Sequence, residues 1–268
     1  MKKLLVLVFA LFFGNAAPLA AQQYYIGPAG NDANDCLSIA TACVTPGRVV
    51  SIMPTGVGPV DLKLLAGSYT FNVNVPHYRY LRVTGDCNVP SNVVITSLPS
   101  REIFWAQDHA TIVARCFRVQ TTTNYSRVFQ ARQYAIIDFD NVEFGYFPMG
   151  QYVSLHETSR ANCTGTNWLV QTSGGNSGAK HFSVTEDKST ISMACQLIAT
   201  SPTAFIDAMS GTPSPFHKGT QWSLGNYVGF SYTGTITGQK YFLQNSEIDG
   251  ASLLPGSGTT ADSLSAIH

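Results

Sequence analysis

This chain is predicted to be an all-β solenoid, a single domain wound as a parallel β-helix, because an aromatic residue returns in one short strand-like segment after another. The five aromatic anchors lie 25, 23, 30 and 23 residues apart, and they are Phe104, Phe129, Tyr152, Phe182 and Phe205. A recurrence of this size is typical of stacked repeats that bury their apolar faces on each other. A β-sandwich would have similar turns, but it gives no reason for one aromatic residue per repeat.

The start of the chain has the layout of a secretory signal peptide. Lys2 and Lys3 precede the apolar run 4–13, and small residues follow at 16–21. The apolar run is too short to span a bilayer comfortably. We therefore expect residues 1–21 to be removed, and the rest of the chain to be secreted or periplasmic without a membrane span.

All six cysteines follow this segment, where an exported protein keeps disulfides. Cys36 and Cys43 bracket a short polar loop, so this pair is the strongest expectation. The other four are about one repeat apart and would staple adjacent repeats as Cys87–Cys116 and Cys163–Cys195, although spacing alone leaves their connectivity open. No Cys-x-x-Cys or neighbouring histidine pattern indicates a metal, and we expect neither metal nor cofactor.

The composition excludes two classes of function. Only 12% of the residues are charged, with 16 acidic and 16 basic side chains, so a basic nucleic-acid-binding surface is not expected. At the same time 44% of the residues are hydrophobic, which argues against a disordered chain.

The predicted organisation has three parts after the signal peptide. Residues 22–60 should form an N-terminal strand, a disulfide loop and a cap that includes one short helix near 44–53, which begins after Thr45-Pro46. Residues 61–250 should form the β-helix, since polar and apolar residues alternate there in short runs. Residues 251–268 are rich in Gly, Ser and Thr and are predicted to be a flexible tail.

Several motifs resemble those of a known group of proteins. The segment from Tyr24 to Asp32, with the following cysteine loop and helix, resembles the opening of secreted bacterial right-handed parallel β-helix proteins of the pectate-lyase-like type. The stretch Leu64 to Tyr69 is similar to their first rung, and residues 248–256 are similar to the end of one subgroup. The resemblance implies a right-handed β-helix with an N-terminal capping helix, and a polysaccharide as ligand.

The catalytic motifs of that group are not found in this sequence. The Asn-Thr-Asp, Asp-Asp, Gly-His-Gly and Arg-Ile-Lys set of pectin hydrolases is missing. A calcium-assisted lyase needs clustered carboxylates and a basic partner, and the nearest match, Asp138 with Asp140, has no such partner. We therefore predict no turnover.

Aligning the repeats on their anchors produces one polar stripe. Four and five positions after the first four anchors stand Asp108 and His109, Gln133 and Tyr134, His156 and Glu157, and Glu186 and Asp187. In stacked coils these side chains would form a column with a spacing of about 4.8 Å. We predict the ligand-binding residues to be Asp108, Arg132, Tyr134, His156, Glu157, Glu186 and Asp187. The alternative is that the stripe is an ordinary solvent-facing turn.

Three hypotheses of function follow. The first is an exported protein that binds a polysaccharide or a cell-surface glycan through the polar stripe. The second is a lyase or hydrolase for an acidic glycan, in which carboxylates and an imidazole would act as general acid and base; its residues would be Asp108, His156, Glu157, Glu186 and Asp187. The third is a structural surface protein that associates as a homotrimer. Exposed aromatic residues along the stripe would favour binding, and two carboxylates converging with a base would favour an enzyme.

Overall fold

The computed structural model describes residues 21–54, 58–99, 101–121, 126–147, 150–170, 181–207 and 212–268. Within these ranges the chain forms 27 short strands, one α-helix and two single turns of 3-10 helix at Pro90–Asn92 and Ala251–Leu253. The predicted signal peptide lies, except for its last residue, outside the described residues.

The strands are numbered in chain order, and α1 spans Pro46–Ile52. The strand bounds are β1 Gln22–Ile26, β2 Val60–Leu64, β3 Gly67–Thr70, β4 Val73–Val75, β5 Tyr80–Thr84, β6 Val93–Thr96, β7 Glu102–Ala106, β8 Thr111–Gln120, β9 Arg127–Ala131, β10 Ile136–Phe144, β11 Gln151–Leu155, β12 Arg160–Thr164, β13 Thr166–Leu169, β14 His181–Thr185, β15 Thr190–Met193, β16 Gln196–Ala199, β17 Thr203–Ala204, β18 Ile206–Asp207, β19 Thr212–Pro213, β20 Pro215–Thr220, β21 Leu224–Asn226, β22 Ser231–Thr233, β23 Ile236–Thr237, β24 Gln239–Gln244, β25 Glu247–Asp249, β26 Thr259–Ala261 and β27 Ala266–Ile267.

Two parallel sheets carry the fold. The large sheet has the main order β1-β2-β5-β8-β10-β12-β15-β21-β25-β27, and β3, β6, β13, β16 and β22 extend it around a bend. The eight-stranded sheet has the order β26-β24-β20-β14-β11-β9-β7-β4. Each sheet adds one strand per turn of the chain, so like positions of successive coils pair directly. The predicted fold class, an all-β parallel β-helix, is confirmed.

The bend in the large sheet is a column of residues with left-handed backbone. Cys116, Asn141 and Gly165 follow the paired residues Arg115, Asp140 and Thr164, and their φ angles are 66°, 54° and 61°. Glycine or asparagine is favoured in this conformation because a β-carbon is crowded there. At Gly165 an added β-carbon would lie 2.0 Å from the Asp140 carboxylate, so a larger residue would force that carboxylate to move.

The interior holds two adjacent aromatic columns instead of the single column that was expected. Phe104 pairs with Phe129, and their rings stack at 5.4 Å. Tyr152 and Phe182 lie one position earlier in their strands, because Val153 is the partner of Phe129. Phe205 lies outside the eight-stranded sheet, and Phe216 stacks on Phe182 at 4.9 Å in its place. The alignment of the anchors was therefore wrong by one residue at Tyr152 and Phe182. It was wrong altogether at Phe205, because this residue is not part of the eight-stranded sheet.

All three expected disulfides are present, and the described residues contain no free cysteine. They join Cys36 to Cys43, Cys87 to Cys116, and Cys163 to Cys195. The second and third bonds close 29 and 32 residues, so each staples one coil to the next. Three disulfides in a chain of this size are typical of a protein that folds outside the cytosol.

The two ends of the solenoid differ from each other. At the N-terminal end, α1 begins after Thr45, whose hydroxyl accepts a hydrogen bond from the Arg48 N–H at 3.4 Å, and it buries Val49. At the C-terminal end, residues 251–268 are not the loose tail that the composition predicted. There β26 pairs with β24 and β27 pairs with β25. These backbone hydrogen bonds to the preceding coil order even a Gly- and Ser-rich segment.

None of the described helices is long and apolar enough to cross a membrane.

Candidate functional site

A stack of tight turns joins the eight-stranded sheet to the large sheet. We call it the turn ladder; its four-residue turns are 76–79, 107–110, 132–135, 156–159, 186–189 and 220–223. In every turn positions 2 and 3 are non-glycine residues with φ between 32° and 64°. These residues are His77 and Tyr78, Asp108 and His109, Gln133 and Tyr134, Glu157 and Thr158, Asp187 and Lys188, and Gln221 and Trp222.

Hydrogen bonds between coils stabilise this unusual backbone. A left-handed conformation costs an L-residue roughly 1–2 kcal/mol. In each turn the N–H of position 3 donates to the carbonyl of position 2 in the next coil, from Tyr78 to Asp108 at 3.0 Å through Lys188 to Gln221 at 3.0 Å. A small buried residue, such as Ala110 or Ser159, commonly closes the turn at position 4. The ladder is thus a rigid edge on which side chains repeat once per coil.

Position 3 carries an exposed row of aromatic rings. The ring of His109 stacks on Tyr78 at 4.7 Å and on Tyr134 at 5.1 Å. Tyr78 is 67% exposed and Tyr134 is 57% exposed. Thr158 and Lys188 occupy position 3 in the next two turns, and Trp222, three coils beyond Tyr134, is 70% exposed. Large aromatic surfaces left in solvent are typical of binding sites, because they cost free energy until something covers them.

The structure brings all seven predicted site residues onto the ladder. Position 1 holds Arg132, His156 and Glu186, whereas position 2 holds Asp108, Glu157 and Asp187, and position 3 holds Tyr134. The sequence alignment had placed His156 and Glu186 in the column of Asp108. This was wrong by one position, because Tyr152 and Phe182 belong to the neighbouring interior column.

Asp108 is the centre of an exposed cluster with two histidines. Its carboxylate contacts His77 Nδ1 from the preceding coil and His109 Nδ1 at 3.0 Å. Hydrogen bonds from His109 and His77 lower the pKa of Asp108. His77 and Asp108 are 31 residues apart in the sequence, so this contact forms only because the coils stack.

His156 links a buried serine to a carboxylate. Ser154 Oγ lies 2.9 Å from His156 Nε2, and His156 Nδ1 lies 3.0 Å from Glu186 Oε2. Burial lowers the pKa of His156 because it disfavours the imidazolium, and the cations Arg132 and Arg127 act in the same direction while Glu186 opposes them. A neutral ring with its proton on Nδ1 satisfies both contacts, donating to Glu186 and accepting from Ser154.

A second polar network lies beside the Ser154–His156–Glu186 contacts, on the outer face of the eight-stranded sheet. Arg127 Nη1 contacts Glu102 Oε1 at 3.0 Å. With its amide turned to satisfy both neighbours, Gln130 donates to Glu102 at 2.8 Å and accepts from Arg132 at 3.2 Å. These bonds hold the Arg132 guanidinium against the sheet surface, next to His156.

A concave cleft of about 330 Å³ opens at one end of the ladder. Its lining residues come from three successive coils, and they are Glu186, Thr220, Gln221, Gln244 and Asn245. Only Glu186 was predicted from the sequence. The other residues follow the same pattern, because Thr220-Gln221-Trp222-Ser223 matches Glu186-Asp187-Lys188-Ser189 when the small fourth residues are aligned.

One group of described side chains is close enough to hold a metal ion, namely Glu247, Asp249 and His268. Glu247 and His268 are exposed, and Glu247 Oε1 lies 3.3 Å from His268 Nε2. The group lies away from the turn ladder, at the last strands of the large sheet.

Comparison with known proteins gives little beyond this. No family model and no curated protein matches the chain. A solved structure that matches is that of the pectate lyase Pel9A, over 92% of this chain and 78% of that one, at 12% identity and a TM-score of 0.33. This overlap is too loose to transfer any residue or activity, so the fold assignment rests on the strand pairing.

Proposed function

We propose that this protein acts outside the cytosol and binds a glycan along the turn ladder, without turning it over. The observation that carries the proposal is the set of exposed aromatic side chains at position 3 of a rigid, in-register edge. Tyr78, His109 and Tyr134 form a stack, and Trp222 stands further along the same position, beyond Thr158 and Lys188. Carboxylates and amides at position 2 flank this row in every coil from Asp108 to Gln221.

The chemistry of the edge suits a sugar chain. Sugar rings offer apolar faces that pack on aromatic side chains and hydroxyls that need both donors and acceptors. The coils repeat at about 4.8 Å, which is comparable with the length of one sugar residue in a linear polysaccharide. A rigid row also loses little conformational entropy on binding, so more of the contact free energy appears as affinity.

Two features argue for binding rather than catalysis. Ser154, whose hydroxyl bonds the imidazole of His156, is 1% exposed, so it is not placed to attack a polymer in solvent. The Asp108 carboxylate already bonds two histidines, and its lowered pKa makes it a poor general acid near neutral pH.

A panel of immobilised polysaccharides tests the proposal with two ladder variants and one control. Trp222→Ala should weaken binding by about tenfold, which is the effect of removing an aromatic anchor from an interface, and Tyr134→Ala should weaken it by a smaller factor. Tyr232→Ala is the matched control, since Tyr232 is 38% exposed but lies on β22, away from the ladder.

Binding that all three variants retain would contradict the proposal. So would release of sugar or of unsaturated uronate by the wild-type protein at rates that depend on Glu186 or Asp108.

A further inference from the structure

We infer that the cleft at the end of the turn ladder is a subsite for a neutral pyranose unit, with Glu186 accepting from its hydroxyls and Trp222 packing on its ring. This inference rests on the proposed function and adds the class of glycan. It opposes the acidic ligand that the pectate-lyase resemblance suggests.

The lining of the cleft offers hydrogen bonds and no positive charge. Position 1 contributes Glu186 and Thr220, and Gln244 pairs with Thr220 in the next coil. Gln221 and Asn245 add two side-chain amides beside them. Amides and hydroxyls both donate and accept, which matches sugar hydroxyls. A uronate carboxylate, in contrast, would meet Glu186 with no lysine or arginine among the lining residues to offset the repulsion; Lys188, in the same turn as Glu186, is exposed on the ladder and does not line the cleft.

The Glu186 carboxylate is held in place from behind. His156 Nδ1 lies 3.0 Å from Glu186 Oε2, and Ser154 Oγ in turn bonds His156 at 2.9 Å. The serine is buried and the imidazole is mostly buried, so these contacts restrict the rotation of the Glu186 side chain. This arrangement gives the buried serine–histidine pair a positioning role for the cleft.

The far wall of the cleft is ordered by the C-terminal segment. The Asn245 N–H donates to both oxygens of Asp262, at 3.1 and 3.0 Å. Within the described part of the chain the Asn245 Oδ1 atom is buried and accepts no hydrogen bond. This oxygen is shielded from solvent, so the backbone bonds to Asp262, rather than this atom, define the wall that a ligand meets.

Trp222 supplies the apolar surface at the rim. It follows Gln221 directly in the same turn, and its side chain is 70% exposed. Its backbone N–H donates to the Asn245 carbonyl at 2.6 Å, so the main chain that carries the indole is bonded to the same coil that forms the far wall. The volume of about 330 Å³ leaves room for one or two sugar rings rather than a long chain.

The test compares a neutral glucan and a neutral galactan with polygalacturonate by calorimetric titration, at low and at high salt. We expect binding to a neutral glycan that salt does not weaken, because no ion pair is involved. Glu186→Gln and Trp222→Ala should each lower this affinity by about tenfold. Glu247→Gln is the control, as an exposed glutamate on β25 outside the cleft. Thermal melting should confirm that each variant is folded.

The outcomes separate the inference from the proposal beneath it. Binding only to polygalacturonate would overturn the neutral subsite and leave glycan binding standing. Neutral binding that Tyr134→Ala abolishes, but Glu186→Gln and Trp222→Ala leave intact, would overturn the cleft as the subsite. Failure of the folded protein to bind any glycan would overturn both.

Discussion

The N-terminal and C-terminal halves of the solenoid share one backbone pattern but differ in one interior column. The column is apolar in the first half and contains polar residues in the second, which we call the polar half. Along one interior column of the eight-stranded sheet, the first coils place Val73, Phe104, Phe129 and Val153. The same column continues through Ser183, His217 and Tyr241. All of these residues are buried. The outside differs as well, since the ring stack lies on the first half of the ladder and the cleft with Trp222 lies on the second.

In the second half, Ser183 and His217 are partners across adjacent coils, while the buried Nε2 atom of His217 has no hydrogen-bond partner among the described residues. Ser183 Oγ lies 2.9 Å from His217 Nδ1 and 2.8 Å from the Tyr227 hydroxyl. Space for the imidazole comes from glycine, since a β-carbon on Gly225 would lie 2.8 Å from His217 Nε2. In this parallel β-helix a buried position can therefore be polar or apolar, provided that its side chain is in register with its neighbours in the adjacent coils.

Truncation of the apolar column should have the largest effect. Phe129→Ala removes a fully buried ring that contacts Phe104, Phe139 and Phe144, and should lower the free energy of unfolding by about 3–5 kcal/mol. Chemical denaturation measures the change. The control Val228→Ala alters a side chain that is 63% exposed and should change stability by less than about 0.5 kcal/mol. Equal effects of the two variants would mean that the ring stack is not part of the core.

Acid should weaken the polar half selectively through His217. Burial lowers the pKa of His217 to about 3, whereas an unfolded histidine titrates near 6.5. Between these values the unfolded chain binds a proton that the folded chain does not, so stability is complete above about pH 6.5 and falls as the pH drops towards 3. The loss is about 1.4 kcal/mol per pH unit, on the order of 5 kcal/mol over the window.

Denaturation curves at several pH values test this expectation with His217→Gln. The variant should have a shallower dependence on pH in that window, although the lowered pKa of His156 leaves a residual slope of the same sign. An unchanged slope in His217→Gln would show that the interior histidine is not the source of the acid sensitivity.

The two coil-stapling disulfides should contribute equally, despite the difference between the halves. Cys87–Cys116 and Cys163–Cys195 close loops of 29 and 32 residues, for which the chain-entropy estimate is about 3–4 kcal/mol each. Double replacement of either pair by serine should therefore produce similar losses in unfolding free energy. A much larger loss for one pair would indicate that the two halves do not unfold together.

The exposed rings should differ in their contribution to binding. Tyr134 is covered on one face by His109, whereas the indole of Trp222 has no ring neighbour among the described residues. Trp222→Ala should thus weaken glycan binding more than Tyr134→Ala does. In thermal melts Tyr134→Ala should also lose about 1 kcal/mol of stability through the broken stack, and Trp222→Ala less. The reverse order of affinities would place the ligand on the first half of the ladder.

The sequence predicted the class of fold, the short helix and the disulfides, because each depends on local spacing or on an approximate repeat length. It did not predict the register. Tyr152 and Phe182 were taken as equivalents of Phe129, since any buried aromatic residue satisfies the pattern and two adjacent columns are buried in these strands. Pairing with neighbouring coils distinguishes the two columns, and that information is not local.

The seven predicted residues fall on the turn ladder for the same reason that their columns were misplaced. A one-residue slip still falls within a four-residue turn, so Glu157 and Asp187 lie on the ladder but were aligned with the wrong partners. The predicted stripe did not extend to Trp222, because its coil was anchored on Phe205 instead of Phe216, and Phe205 lies outside the sheet. The small residue at position 4 is the better guide, since Ser189 and Ser223 mark equivalent turns.

Oxidative footprinting of aromatic side chains, with and without a bound polysaccharide, tests most directly whether the turn ladder is the surface that meets the ligand. We expect the glycan to slow oxidation of Trp222 and Tyr134 while leaving Tyr232 and Tyr146, which are 38% and 40% exposed, unchanged. Protection of Tyr232 or Tyr146 with no change at Trp222 and Tyr134 would contradict the account.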